Sequence, residues 1–194
     1  MATTNPGITS TKKKQSRLLG FLIGFGVFLI VIAIMAVIKV TPYAVYKNQL
    51  AGIRIKYPAY WKLIDHPPGG AIVAFATPPQ TSMDTFSENA NISLQDLSLK
   101  PMNLSQFTQT AIRQMTGTFK QSIQVVDSSP DQLAGRPAYR FSYIMRDKTT
   151  PVKFLHVWVI VGTKAYTFTY VAAEKDFDVF LGEVDTMLKS LTVL

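Results

Sequence analysis

Two histidines and no cysteine bound the side-chain chemistry open to this 194-residue chain. Without Cys there is no thiolate nucleophile, no thiolate metal site and no disulfide. His66 follows Asp65 in Asp65-His66-Pro67-Pro68-Gly69-Gly70, a turn by composition. An imidazole beside a carboxylate supplies two ligands toward calcium, manganese or zinc, and a closed site needs more. Asp65 and His66 are therefore the metal candidates, weighed against a plain solvated turn. His156 sits between Leu155 and Val157, where a hydrogen-bonded imidazole in a strand is expected rather than a catalytic base. Glu174, Asp176 and Asp178 lack the spacing and glycine of a calcium-binding loop. They are expected to complement the dipole at a helix start. Asp84 and Glu88 fall in a polar loop, and their pairing is a further guess. The sequence carries no Gly-x-Ser-x-Gly, no phosphate loop, no dinucleotide fingerprint and no His-Glu-x-x-His. The positive signals are structural, which favours a non-catalytic protein.

The elements that would position these groups read as an α+β domain. Ile53, Ile55 and Tyr57 alternate with Arg54 and Lys56, giving a half-buried strand that Pro58 ends. Trp61 is expected in the core with its indole N–H paired. Ala71–Ala76 reads as a buried strand, 77–89 as an exposed loop and Asn91–Leu99 as a strand. Leu104, Phe107, Ala111 and Met115 form one helical stripe, capped by Asn103 or Ser105 and ended by a left-handed Gly117. Residues 121–127 form a strand, and 128–135 a turn-rich connection. Pro137–Arg146, Pro151–Val161 and Lys164–Ala172 form an aromatic meander. Gly162-Thr163 suits a type II′ hairpin. Phe177, Phe180, Leu181, Val184 and Leu188 mark a closing helix over Glu174–Ser190. The sum is a mostly antiparallel sheet of about seven strands with two amphipathic helices against it.

Ahead of this domain, Leu18–Ile38 runs for 21 residues without charge, Asn, Gln or Pro. As a helix it would extend roughly 31 Å, enough for a hydrocarbon core of about 30 Å. Lys12, Lys13, Lys14 and Arg17 precede the run, which places the N-terminus in the cytoplasm and the domain outside: periplasm, cell surface or thylakoid lumen. A cleaved signal peptide is the rival, but the run is long and lacks an Ala-x-Ala site. The expected division is a basic tail 1–17, a signal-anchor helix 18–40, a tether 41–49 with interfacial Tyr43 and Tyr46, and a domain 50–194. Gly20 and Gly24 could favour helix pairing, though Gly is common in such spans. Much of the formal charge of +8 flanks the apolar run, leaving 15 basic against 12 acidic residues beyond it. No basic stripe calls for nucleic acid.

In order along the chain, Gly52-Ile53-Arg54-Ile55-Lys56-Tyr57-Pro58 with Trp61, Ala71–Pro78, Gly135-Arg136-Pro137-Ala138-Tyr139, Gly162–Tyr170 and Met187–Leu191 resemble the PsbP family. The resemblance covers about residues 45–194. It implies an α/β/α sandwich of the PsbP and Mog type with a central antiparallel sheet. Plant PsbP is a lumenal subunit of photosystem II that supports calcium and chloride retention, and relatives assist assembly of membrane complexes. Here a membrane helix stands where the plant protein has a long N-terminal arm, and the lipidated Cys of cyanobacterial relatives is missing. The expectation is therefore a tethered accessory domain that docks on a membrane protein complex, with 77–89 and 65–70 as docking edges. The alternative is a small-ligand or metal-binding module using calcium or manganese.

Overall fold

The computed structural model describes residues 42–81, 86–119, 122–146 and 150–193. The apolar run 18–40, the tail 1–17 and Asp84 lie outside the described residues. Among the described residues, no helix is long and apolar enough to cross a membrane.

Among the described residues, ten strands and two helices follow one another as β1 (Tyr43–Asn48), β2 (Ile53–Pro58), β3 (Lys62–Asp65), β4 (Ala71–Ala76), β5 (Asn89–Asp96), α1 (Leu104–Phe119), β6 (Ile123–Leu133), β7 (Arg136–Met145), β8 (Val152–Val161), β9 (Lys164–Ala173), α2 (Leu181–Ser190) and β10 (Thr192–Val193). A seven-stranded antiparallel sheet has the order β3-β4-β5-β9-β8-β7-β6, and a small sheet has the order β1-β2-β10. The α+β class, the seven-stranded sheet and the two helices match the sequence reading. The small second sheet does not appear in it.

Strand alternation divides the large sheet into two faces. Val73, Phe75, Ile92, Val157, Phe168 and Tyr170 point to one side, where Ile53 and Ile55 of β2 and Val184, Met187 and Leu188 of α2 complete the main core. Phe141, Tyr143 and Trp158 point to the other, where Phe107 of α1 covers them. Burying residues of this size contributes about 1.5–3 kcal/mol each. Trp61 is buried as expected, its ring edge-on to Phe180 at 5.9 Å and its N–H donating to Glu183 at 3.0 Å.

Three local expectations change. The segment read as a tether is β1, fully paired from Tyr43↔Pro58 to Asn48↔Ile53, and Tyr46 is buried rather than interfacial. Gly117 does not end α1: the helix continues to Phe119, and no left-handed φ occurs there. Asn103 does cap it, accepting from Gln106 N while Gln106 Oε1 accepts from Asn103 N, a reciprocal box. The connection 128–135 is mostly strand. Pro130 is tolerated because β6 is an edge, where one side of the backbone needs no partner. Only Ala134 and Gly135 turn, both at positive φ (52° and 70°), as a two-residue type I′ hairpin requires. At the other tip Gly162 alone is positive (60°), in keeping with the expected type II′ turn.

The closing helix is also shorter. A 3-10 turn, Phe177–Val179, precedes α2, so Glu174, Asp176 and Asp178 are not in its first turn. They meet cations instead. Arg146 donates twice to Glu174 at 2.9 Å, Lys175 Nζ lies 3.6 Å from Asp176, and Lys153 Nζ lies 3.9 Å from Asp178. Glu183 and Lys189 are the charges placed to complement the α2 dipole.

Candidate functional site

Asp65 closes β3 and His66 opens the turn to β4. His66 adopts φ 51°, in the left-handed region that His visits more readily than most side chains. Its Nδ1 lies 3.2 Å from Asp65 Oδ1. The same carboxylate oxygen accepts from Tyr46 OH at 2.8 Å, which ties β3 to the small sheet. His66 is 78 % exposed, and no third His, Cys, Asp or Glu joins the pair to make a metal-binding group among the described residues. The imidazole also lines an open, mostly apolar groove of about 450 Å³ with Leu50, Ala51, Pro67, Ile72 and Leu94.

The two docking edges read from sequence lie at opposite ends of one strand. The 65–70 turn enters β4 and the 77–88 loop leaves it. Six residues of strand separate them by about 20 Å. The loop's two legs are held together at its base. Thr77 N–H donates to Glu88 O at 2.8 Å, and Thr77 Oγ1 donates to Glu88 Oε2 at 2.9 Å, both side chains buried. Burial of this carboxylate is a feature the sequence reading missed; an acid four residues after a possible partner gave no signal of it.

His156 lies on the α1 side of the sheet, stacked on Tyr143 (5.7 Å) and Phe154 (6.2 Å) and tilted against Trp158 (6.5 Å). Its Nδ1 is 3.0 Å from Thr169 Oγ1, and its Nε2 is buried with no hydrogen-bond partner among the described residues. Desolvation in this aromatic slot pushes the imidazole down to about 4, so it is neutral near pH 7. Burial likewise pushes the Tyr143 hydroxyl up to about 12. Tyr60 is also raised to about 12, by desolvation first and then by its hydrogen bond to Glu183. None of these groups is poised to transfer a proton near neutrality.

A second groove, of about 400 Å³, runs between the β6–β7 hairpin and the end of α2. Arg140, held by Asp131 at 2.9 Å, faces Asp185 and Lys189 across it. The sequence reading does not bring these residues together, because they converge only through the pairing of β6 with β7 and the docking of α2.

The fold has recognisable company. The sequence profile of the PsbP family matches residues 41–193. The solution structure of cyanobacterial PsbP (CyanoP) from Synechocystis sp. PCC 6803 superposes with a TM-score of 0.58 at 17 % identity, over 81 % of this chain and 96 % of that one. LpqN of Mycobacterium tuberculosis, a protein involved in cell envelope biogenesis, gives 0.55 at 14 % identity, over 78 % and 90 %. The Ran-binding protein Mog1p of Saccharomyces cerevisiae gives 0.54 at 9 % identity, over 79 % and 96 %. At such identities the structures share a fold and nothing finer. Comparison with curated protein sequences finds no match. The profile match spans the whole folded domain, from two residues before β1 to the last residue of β10, and so the chain belongs to the PsbP family.

Proposed function

We propose that this is a non-catalytic accessory domain, held at a membrane by residues 18–40, that docks on a membrane protein complex from the extracytoplasmic side and aids its assembly or stability. One observation carries the non-catalytic part. Several of the acids and bases that could do chemistry hold the fold: Asp65 holds Tyr46, Glu88 Oε2 holds Thr77, Glu183 holds Tyr60 and Trp61, and His156 Nδ1 pairs with Thr169, while Glu88 Oε1 and His156 Nε2 are buried with no partner among the described residues. Family membership supports the accessory role. Proteins of the same fold include one that binds Ran and one involved in cell envelope biogenesis, so working through contact with other components is in keeping with this scaffold. A membrane anchor would raise the local concentration of the domain beside membrane partners, so weak contacts would suffice. In a photosynthetic host a photosystem would be among the partners to test.

The test is affinity capture of the full chain from detergent-solubilised membranes, with and without replacement of the 77–88 loop and the 65–70 turn. Recovery of one membrane complex that is lost with either replacement supports docking. An unchanged set of partners removes these edges from the assignment. Protease added to sealed cells should digest the domain; protection until lysis would reverse the topology.

A further inference from the structure

Thr41 and Pro42 alone separate the run ending at Val40 from Tyr43, the first residue of β1. Extended chain covers at most about 3.6 Å per residue, so roughly 11 Å of backbone joins the two. The leash that the sequence suggested is therefore largely folded, and the end of the domain where β1 begins becomes informative. There, Pro42 O accepts from Ala59 N–H at 2.8 Å and Tyr43 pairs with Pro58. Tyr60 is 45 % exposed, and its hydroxyl donates to Glu183 in the first turn of α2. Val179, 64 % exposed, directly precedes Phe180, whose ring packs on Trp61. Tyr43, Ala59, Tyr60 and Val179 thus share one end of the molecule. Three of its carboxylates are offset by cations, Glu174 by Arg146, Asp176 by Lys175 and Asp178 by Lys153, and Glu183 accepts hydrogen bonds from Tyr60 and Trp61.

We propose that this end, centred on Tyr43, Tyr60 and Val179, lies against the headgroup layer of a lipid bilayer. The proposal rests on residues 18–40 being a membrane span. Tyrosine rings, with an apolar body and a hydroxyl, suit the membrane–water boundary. A balanced set of ion pairs avoids the repulsion that bare carboxylates would meet at anionic headgroups. The opposite end carries Leu99, which is fully exposed two residues past Leu97, whose N–H donates to Thr163 O at the β8–β9 tip. The ten residues of β9 put about 33 Å between that tip and Ala173 at the bilayer end. Leu99, exposed Leu50 and the groove beside His66 would then face away from lipid, toward a partner that rises from the membrane, and the base of the 77–88 loop, where Asn89 pairs with Val171, would lie nearer the lipid.

The chain has no cysteine, so single labels are unambiguous. Full-length Val179→Cys and Leu99→Cys, each altering an exposed side chain, carry a fluorophore in phosphatidylcholine vesicles containing a headgroup-attached quencher. Quenching at position 179 several-fold stronger than at 99 is expected. Equal quenching, or stronger quenching at 99, from a chain that resists alkaline extraction overturns this orientation while leaving the span intact. A chain that alkaline carbonate releases from the vesicles overturns the span and the proposal with it.

Discussion

The indole N–H of Trp158 donates to Thr108 Oγ1 at 2.8 Å, and both residues are buried. This bond joins the second turn of α1 to an interior strand 50 positions along the chain. Phe107 packs edge-on to the same indole at 6.2 Å, and Tyr139 stacks on it at 5.9 Å. The hydrogen bond fixes the helix in register on a face whose other contacts are largely apolar.

Thr108→Val keeps the shape of the side chain and leaves the indole N–H buried without an acceptor. A loss of about 1–3 kcal/mol is expected by urea denaturation. Adding Trp158→Phe removes the orphaned donor, so the coupling of the two changes in a double-mutant cycle should be non-zero. Strict additivity would mean that the bond does not fix α1.

Two substitutions test the turn assignments. Gly117 lies within α1 with open space where a Cβ would go, so Gly117→Ala should stabilise the domain by roughly 0.5–1 kcal/mol. A left-handed cap would instead be destabilised by Ala. At the β6–β7 tip Ala134 sits at φ 52°, a conformation that costs a non-glycine residue about 1–2 kcal/mol. Ala134→Asn creates Asn-Gly, the preferred type I′ pair, and should raise the urea midpoint at unchanged slope.

The sequence made the interior strands and both amphipathic helices legible because a buried face imposes a period. Ile53 and Ile55, the aromatic alternation of β7 and β9, and the Leu104-Phe107-Ala111-Met115 stripe all announce a core. Edges were harder. β1 begins after a proline, β3 has four residues, β6 contains Ser128-Ser129-Pro130-Asp131, and β10 has two residues. Each is at the margin of its sheet, where pairing on one side tolerates polar residues and proline. The placement of Glu174 was misread for a related reason. Its partner Arg146 is 28 positions away, and a local dipole argument cannot see a contact made where β7 and β9 end at the same side of the sheet, flanking β8.

Asp65 separates a structural role from a metal role. Asp65→Ala removes the acceptor for Tyr46 OH, and a loss of about 1 kcal/mol is expected by thermal or urea unfolding. Asp65→Asn retains a carbonyl acceptor and should recover most of it. These differences should be the same with and without millimolar calcium, manganese or zinc, since a ligand stabilises a fold only in proportion to its binding. Stabilisation by one of these ions that both Asp65→Ala and His66→Ala abolish would assign a metal site to this turn.

His156 makes stability depend on pH in a defined window. The ring is desolvated among Tyr143, Phe154 and Trp158, and its folded-state pKa is lowered to about 4 from the ordinary 6.5. Because the unfolded chain binds the proton first, the favourable contribution is complete above pH 6.5. It is lost progressively as pH falls toward 4, by up to about 3 kcal/mol. His156→Phe keeps the stacking and removes the titration, so urea midpoints measured from pH 7 to 4.5 should fall less steeply in the variant than in the parent. Carboxylates titrating below this window act on both proteins alike, so the difference between the two slopes reports the imidazole. Equal slopes would mean that water reaches Nε2 in the folded domain, and that α1 does not seal the aromatic slot.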